Sequence, residues 1–160
     1  MNNEEKFKAF LSVAKVLNKQ FNLTPILYGS LGLYRVLNID RETGDIDVLI
    51  VDEYVQDKWL QLQYVMIDLG YLLKDEHEHE FIKGNQEIAF ATQSDLLKVG
   101  GVDPDGLRVA TINGVSFREL TAENYLFFYQ TIYSDDYRRQ KKGKADQEKI
   151  RLIKNHLSNE

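Results

Sequence analysis

The chain contains no cysteine, which excludes disulfides, a thiolate nucleophile and a cysteine-ligated zinc site. It has only two prolines and one tryptophan, and neither an internal repeat nor a low-complexity segment breaks it into parts. No apolar run approaches the roughly 20 residues needed to span a bilayer. The acidic opening Met1-Asn2-Asn3-Glu4-Glu5 lacks the apolar core of a secretory signal. The expectation is therefore a cytoplasmic protein with no membrane partner. An excess of positive charge is also missing: 20 basic residues stand against 25 acidic ones, a net charge of −5. That argues against a broad nucleic-acid-binding surface, though not against one local basic patch. What remains is ordinary globular composition, 43% hydrophobic and 28% charged over 160 residues. Such a chain fits one domain with a sizeable core.

The stretch carrying chemistry is Tyr28-Gly29-Ser30, followed after a spacer by Asp45-Ile46-Asp47-Val48. Pro25 to Tyr28 reads as a short buried strand that stops at Gly29, and Leu31 to Leu37 as a short helix. A helix beginning there offers free backbone N–H groups and its positive dipole end at Ser30, a natural seat for phosphate. Asn38 to Gly44 is polar and reads as a loop. Asp45 to Val51 reads as the central strand. Alternation along it aims Asp45 and Asp47 at the same face. Paired carboxylates on a buried strand repel each other and lose hydration. A divalent cation is the simplest compensation, and oxygen ligands of this kind suit Mg²⁺, or Mn²⁺, together with substrate phosphates. The plainer alternative is that both aspartates cap backbone or pair with lysines.

The remaining segments supply packing. Residues 4–20 have helical spacing of apolar side chains, as do Tyr54 to Leu69, Thr121 to Tyr133 (with Thr121 as cap) and Ala145 to Leu157. Tyr71 to Ile82 reads as one long strand that pairs with Gln86 to Thr92 across Lys83-Gly84-Asn85. Its acidic run places Glu76, Glu78 and Glu80 on one face and His77 and His79 on the other. Glu87 stands just ahead of the apolar Ile88-Ala89-Phe90. A carboxylate there must be solvated, paired or bound to metal. Two histidines without a cysteine or a nearby third histidine rank zinc below magnesium. Ser94-Asp95 reads as the cap of a short helix, Gly100 to Gly106 as a loop that is not a P-loop, and Leu107 to Phe117 as a hairpin around Asn113-Gly114. Ser134 to Lys144 reads as a polar break. It contains the basic run Arg138-Arg139-Gln140-Lys141-Lys142-Gly143-Lys144, either a solvated loop or a phosphate-binding cluster. Helix and strand alternate first, hairpins follow, and helices close the chain, the order of an α+β or mixed α/β fold.

A glycine-serine turn after an apolar strand, a spacer, then Asp-x-Asp inside another apolar strand resembles the DNA polymerase β-like nucleotidyltransferase superfamily. Small size and C-terminal helices resemble its minimal and antibiotic-modifying members. The resemblance implies an α+β fold with a mixed β-sheet flanked by helices and closed by C-terminal helices. It implies one domain over 1–160, with a core at about 20–117 and a helical part at 118–160. It implies transfer of a nucleoside monophosphate from a nucleoside triphosphate such as ATP to an acceptor hydroxyl, with pyrophosphate leaving. Gly29 and Ser30 would bind the nucleotide, with Arg139 and Lys144 neutralising phosphate. Asp45, Asp47 and Glu87 would be catalytic and would hold Mg²⁺ or Mn²⁺, with Glu80 as the alternative third carboxylate. The acceptor is left open among a small molecule, a protein and an RNA end. The aromatic-rich segment Tyr125 to Tyr133 could pack internally or across a homodimer. An alternative reading is an inactive nucleotide-binding protein, or a toxin–antitoxin regulator, on the same fold.

Overall fold

The structure, a computed structural model, describes residues 1–159, except for the side chains of residues 137 and 138. The first helix, α1 (Asn3–Phe21), starts where the Asn2 side chain accepts the Glu5 N–H. It stops where Asn22 turns left-handed at φ 55°, a conformation Asn tolerates better than most residues. Its buried stripe is Phe10, Val13, Ala14 and Leu17, the i, i+3, i+4, i+7 pattern of a helix lying on a sheet. Strand β1 (Ile26–Tyr28) then leads into α2 (Gly29–Leu37), and β2 (Ile46–Ile50) follows the polar loop. After β2 come α3 (Trp59–Asp68), β3 (Leu72–Asp75), β4 (Glu80–Lys83), β5 (Gln86–Thr92), α4 (Ser94–Gly100), β6 (Arg108–Ile112), β7 (Val115–Glu119), α5 (Ala122–Tyr133) and α6 (Asp136–Ser158).

The seven strands form one mixed sheet in the order β3-β4-β5-β2-β1-β7-β6. Strand β1 is antiparallel to β2 and parallel to β7, β2 is parallel to β5, and the outer pairs are antiparallel. Each face has its own core. Leu27, Ile46, Val48, Phe81, Ile88, Phe90 and Phe117 pack under α1 and α3, with Phe10 edge-on to Phe117 at 5.4 Å. On the other face Ile26, Leu49, Leu33, Leu96, Tyr125, Phe128 and Ile153 gather beneath α2, α4, α5 and α6. Alternation along β1 and β2 divides their side chains between the two cores.

Four local expectations are corrected. Tyr71 to Ile82 is not one strand: Glu76 to His79 forms a turn between β3 and β4, with His79 at φ 52°. The alternation expected for Glu76 to Glu80 therefore does not apply. Tyr54 to Leu69 is not one helix either. A 3-10 turn at Asp52–Val55 precedes α3, held because the Asp52 carboxylate accepts both the N–H and the hydroxyl of Ser94. Ser94 thus spends its hydroxyl on Asp52, and no side chain caps α4. The polar break after α5 is short, because α6 already starts at Asp136, so the basic run is helical. Thr121 does cap α5, its hydroxyl accepting the Asn124 N–H while the Asn124 side chain accepts the Thr121 N–H. Among the described residues no helix is long and apolar enough to cross a membrane.

Candidate active site

β1 stops at Tyr28 because Gly29 takes φ +66°, a left-handed turn that costs a side-chain-bearing residue about 1 kcal/mol or more. The chain passes straight into α2, and no side chain caps its first turn. The first-turn amides and the positive end of the helix are at Gly29 and Ser30, both of which line a cavity. Glycine is required for a second reason. A Cβ at this position would sit 2.1 Å from Oδ2 of Asp47, so the Asp47 carboxylate is packed directly on the turn. Register explains the approach, since Tyr28 pairs with Asp47 across β1 and β2. The Ser30 hydroxyl accepts the Gly44 N–H at 3.2 Å, which ties the turn to the loop entering β2.

That loop is fastened from below. The Lys6 ammonium donates to Thr43 O at 2.8 Å, Thr43 Oγ1 at 2.9 Å and Gly44 O at 3.0 Å. Asn3 adds hydrogen bonds to Asp40 and to Arg41 O. The start of α1 thereby fixes the residue just before Asp45.

Asp45 does not stand alone. Ile46 pairs with Ile88, Asp47 with Ala89, and Ala89 with Glu80, so Asp45, Glu87 and Glu80 share the face of Asp47. Carboxylate oxygens of Asp45, Glu80 and Glu87 all lie within 4.8 Å of one another. Lost hydration, then hydrogen bonding and repulsion from Glu87 and Glu80, raise the Asp45 carboxyl to about 7. Glu87 shifts the other way, first through its bond from Lys74. The Lys74 ammonium bonds Glu87 and lies 3.6 Å from Glu80, so a cation already answers the crowded acids. Three hard oxygen donors in one cluster, with the Asp47 carboxylate two residues on from Asp45, are a donor set that fits Mg²⁺ or Mn²⁺.

The sequence expectations meet this geometry unevenly. Gly29, Ser30, Asp45 and Asp47 line one cavity of about 770 Å³ between the sheet and α5 and α6. Glu80 and Glu87 join Asp45 in the acid cluster, while Asp47 points to the Gly29 turn and is not part of it. Arg139 and Lys144 do not line the cavity. Arg139 pairs with Asp136 and lies 5.8 Å from the Tyr133 ring, and Lys144 is exposed. The Arg138 side chain lies outside the described residues. Among the described residues the basic side chains that reach the cavity are Lys142 and Lys149, the latter 5.1 Å from the Tyr129 ring centre. Helical phase could have singled them out only if α6 had been known to start early. Tyr28, Phe128 and Tyr129 add an aromatic wall. Lys74 was also missed, because its reach depends on a hairpin with no glycine or proline to announce it. His79, weighed for zinc, packs edge-on against Trp59 at 4.6 Å.

No family model matches the chain. It is 38% identical over 153 residues to the uncharacterized protein YnaI of Bacillus subtilis (strain 168), covering 96% of this chain and 98% of that one. Its fold is that of the antibiotic-resistance factor ANT(2'')-Ia, whose solution structure superposes with a TM-score of 0.61 at 13% identity, over 98% of this chain and 86% of the other. A crystal structure of ANT(2'')-Ia in complex with adenylyl-2''-tobramycin gives 0.57 at 14% identity, over 93% and 88%. A nucleotidyltransferase-like protein from Paracoccidioides brasiliensis gives 0.64 at 16% identity, over 96% and 77%.

Proposed function

Because the chain belongs to the same family as the Bacillus subtilis protein YnaI and has the nucleotidyltransferase fold, we propose that it is a nucleotidyltransferase. In this reading it moves a nucleoside monophosphate from a nucleoside triphosphate to an acceptor hydroxyl. The observation that carries the reading is the contact of Asp47 with the Gly29 turn, at one end of a cavity that also holds Asp45. A triphosphate seat and a carboxylate pair thus share one space.

The first-turn amides of α2 and the Ser30 hydroxyl hold the β- and γ-phosphates. Lys142 and Lys149 neutralise charge from the far wall, a part first expected of Arg139 and Lys144. Asp45, Asp47 and Glu87, with Glu80 beside them, would hold Mg²⁺ or Mn²⁺. When bound, that ion supplies charge neutralisation on the phosphates and on the developing alkoxide. The acceptor oxygen bonds to the α-phosphorus and the bond to the pyrophosphate oxygen breaks. The acceptor proton passes to a carboxylate of the Asp45, Glu80 and Glu87 group. ATP is the donor to test first, given the adenylyl product bound to one structural neighbour.

The test is incorporation of labelled nucleoside triphosphates into cell-extract acceptors by the wild-type chain and by Asp47→Asn. Incorporation should fall at least about 100-fold in the variant, within the range for a group that stabilises transition-state charge, with an unchanged melting profile. Equal incorporation by both proteins would refute the assignment. A second reading, a nucleotide-binding protein without turnover, is favoured by the Lys74 ammonium already seated on Glu80 and Glu87. Magnesium-independent ATP binding in calorimetry, with no incorporation, would select it.

A further inference from the structure

We propose that Lys74 is an internal counter-ion of the acid cluster, which the divalent cation must displace to bind. The inference rests on the metal-binding part of the function proposed above. Lys74 belongs to the edge strand β3, and Glu87 to β5, with β4 lying between them. An ordinary cross-strand partner would be found on β4. The Lys74 side chain instead crosses β4 to bond Glu87, passing 3.6 Å from Glu80.

The backbone is built for that reach. Leu73 pairs with Phe81, yet Asp75, not Lys74, pairs with Glu80, so the register slips by one residue at Lys74. Such a bulge leaves its residue outside the ladder and re-aims the side chain. Exposure agrees with an exchangeable cation: the Lys74 side chain is 42% exposed, whereas those of Glu80 and Glu87 are 14% and 25% exposed. The acids are fixed in the sheet, and the lysine reaches them from the rim on a flexible stem.

Three carboxylates within 4.8 Å of one another repel strongly without a cation. Lys74 supplies one positive charge where a divalent ion would supply two. It stabilises the metal-free cluster and, because like charges repel, opposes entry of the metal. Coulomb repulsion at this range acts directly on an entering cation, so removing the ammonium should be plainly visible in metal affinity.

The experiment is Mn²⁺ titration by calorimetry, with melting curves in EDTA and in excess Mn²⁺, on wild type, Lys74→Met and Lys74→Arg. Lys74→Met should bind Mn²⁺ about tenfold more tightly, melt earlier in EDTA, and gain more from Mn²⁺ than wild type does. Lys74→Arg, which keeps the charge, should stay close to wild type. If Lys74→Met binds Mn²⁺ no more tightly than wild type, the exchange is overturned while the metal site stands. If Lys74→Arg behaves like Lys74→Met, charge is not the cause and the exchange is again overturned. If none of the three binds Mn²⁺, both the exchange and the metal-binding reading fail.

Discussion

Asp45 gives the acid cluster its pH signature. Its carboxyl is raised to about 7, first by lost hydration and then by Glu87 and Glu80, so the folded, metal-free protein holds a proton there that the unfolded chain releases near 4. A raised carboxyl contributes stability below the unfolded value, and that stability drains away as pH climbs through the folded value. Glu87 runs in the opposite sense, since Lys74 lowers it, but its contribution is lost only as pH falls below the ordinary carboxylate range. Between about pH 4 and 7 the Asp45 effect should dominate. In EDTA, wild type should lose more melting temperature than Asp45→Asn as pH is raised from 5 to 8, as thermal denaturation would show. Parallel curves would mean that Asp45 does not carry the proton. Asp45 and Asp47 were legible as a pair because period-2 alternation is a property of sequence alone. That Asp47 serves the turn while Asp45 joins two glutamates was not, because register across β5 and β4 decides it.

Among the elements, α1 does more than cover the sheet. Lys6 makes three hydrogen bonds to Thr43 and Gly44, and the Gly44 N–H in turn meets Ser30. The loop between the two halves of the motif is therefore held from outside it. Lys6→Met should cost about 1–3 kcal/mol, the range for removing a donor from part-buried acceptors, and should weaken ATP binding by freeing Gly44 from Ser30. Urea denaturation and calorimetry check the two effects. A variant less stable but binding ATP as before would reduce Lys6 to a structural tie. A packing helix over residues 4–20 could be read from apolar spacing, but this clasp could not, since it joins segments far apart in sequence. The turn at Glu76 to His79 escaped for a different reason. It achieves a positive φ at His79 without the Gly, Asn or Pro that normally marks such a bend. The early start of α6 was hidden by its polarity, as Asp136 to Lys144 offers almost no apolar stripe to read.

Across the whole molecule the sheet separates stability from chemistry. The face under α1 and α3 is a closed apolar core, where Phe117 is fully buried and edge-on to the rings of both Phe7 and Phe10. The opposite face carries Asp45, Asp47, Glu80 and Glu87 beside the cavity under α5 and α6. This division follows from one parity rule applied to adjacent strands: Val48 and Phe90 go down where Asp47 and Ala89 go up. A large cavity cut on the closed face should therefore lower stability without reshaping the site. Phe117→Ala should cost about 3–5 kcal/mol in urea denaturation, as for other buried aromatic truncations. The folded fraction should bind Mn²⁺ and ATP within about twofold of wild type, as expected for sites with no shared contacts. Larger changes in binding would mean that strain crosses the sheet, through β7 and β1, whose Leu27 and Glu119 are paired one residue before the Tyr28 rung. The site would then depend on the packing of α1 as well as on its own carboxylates.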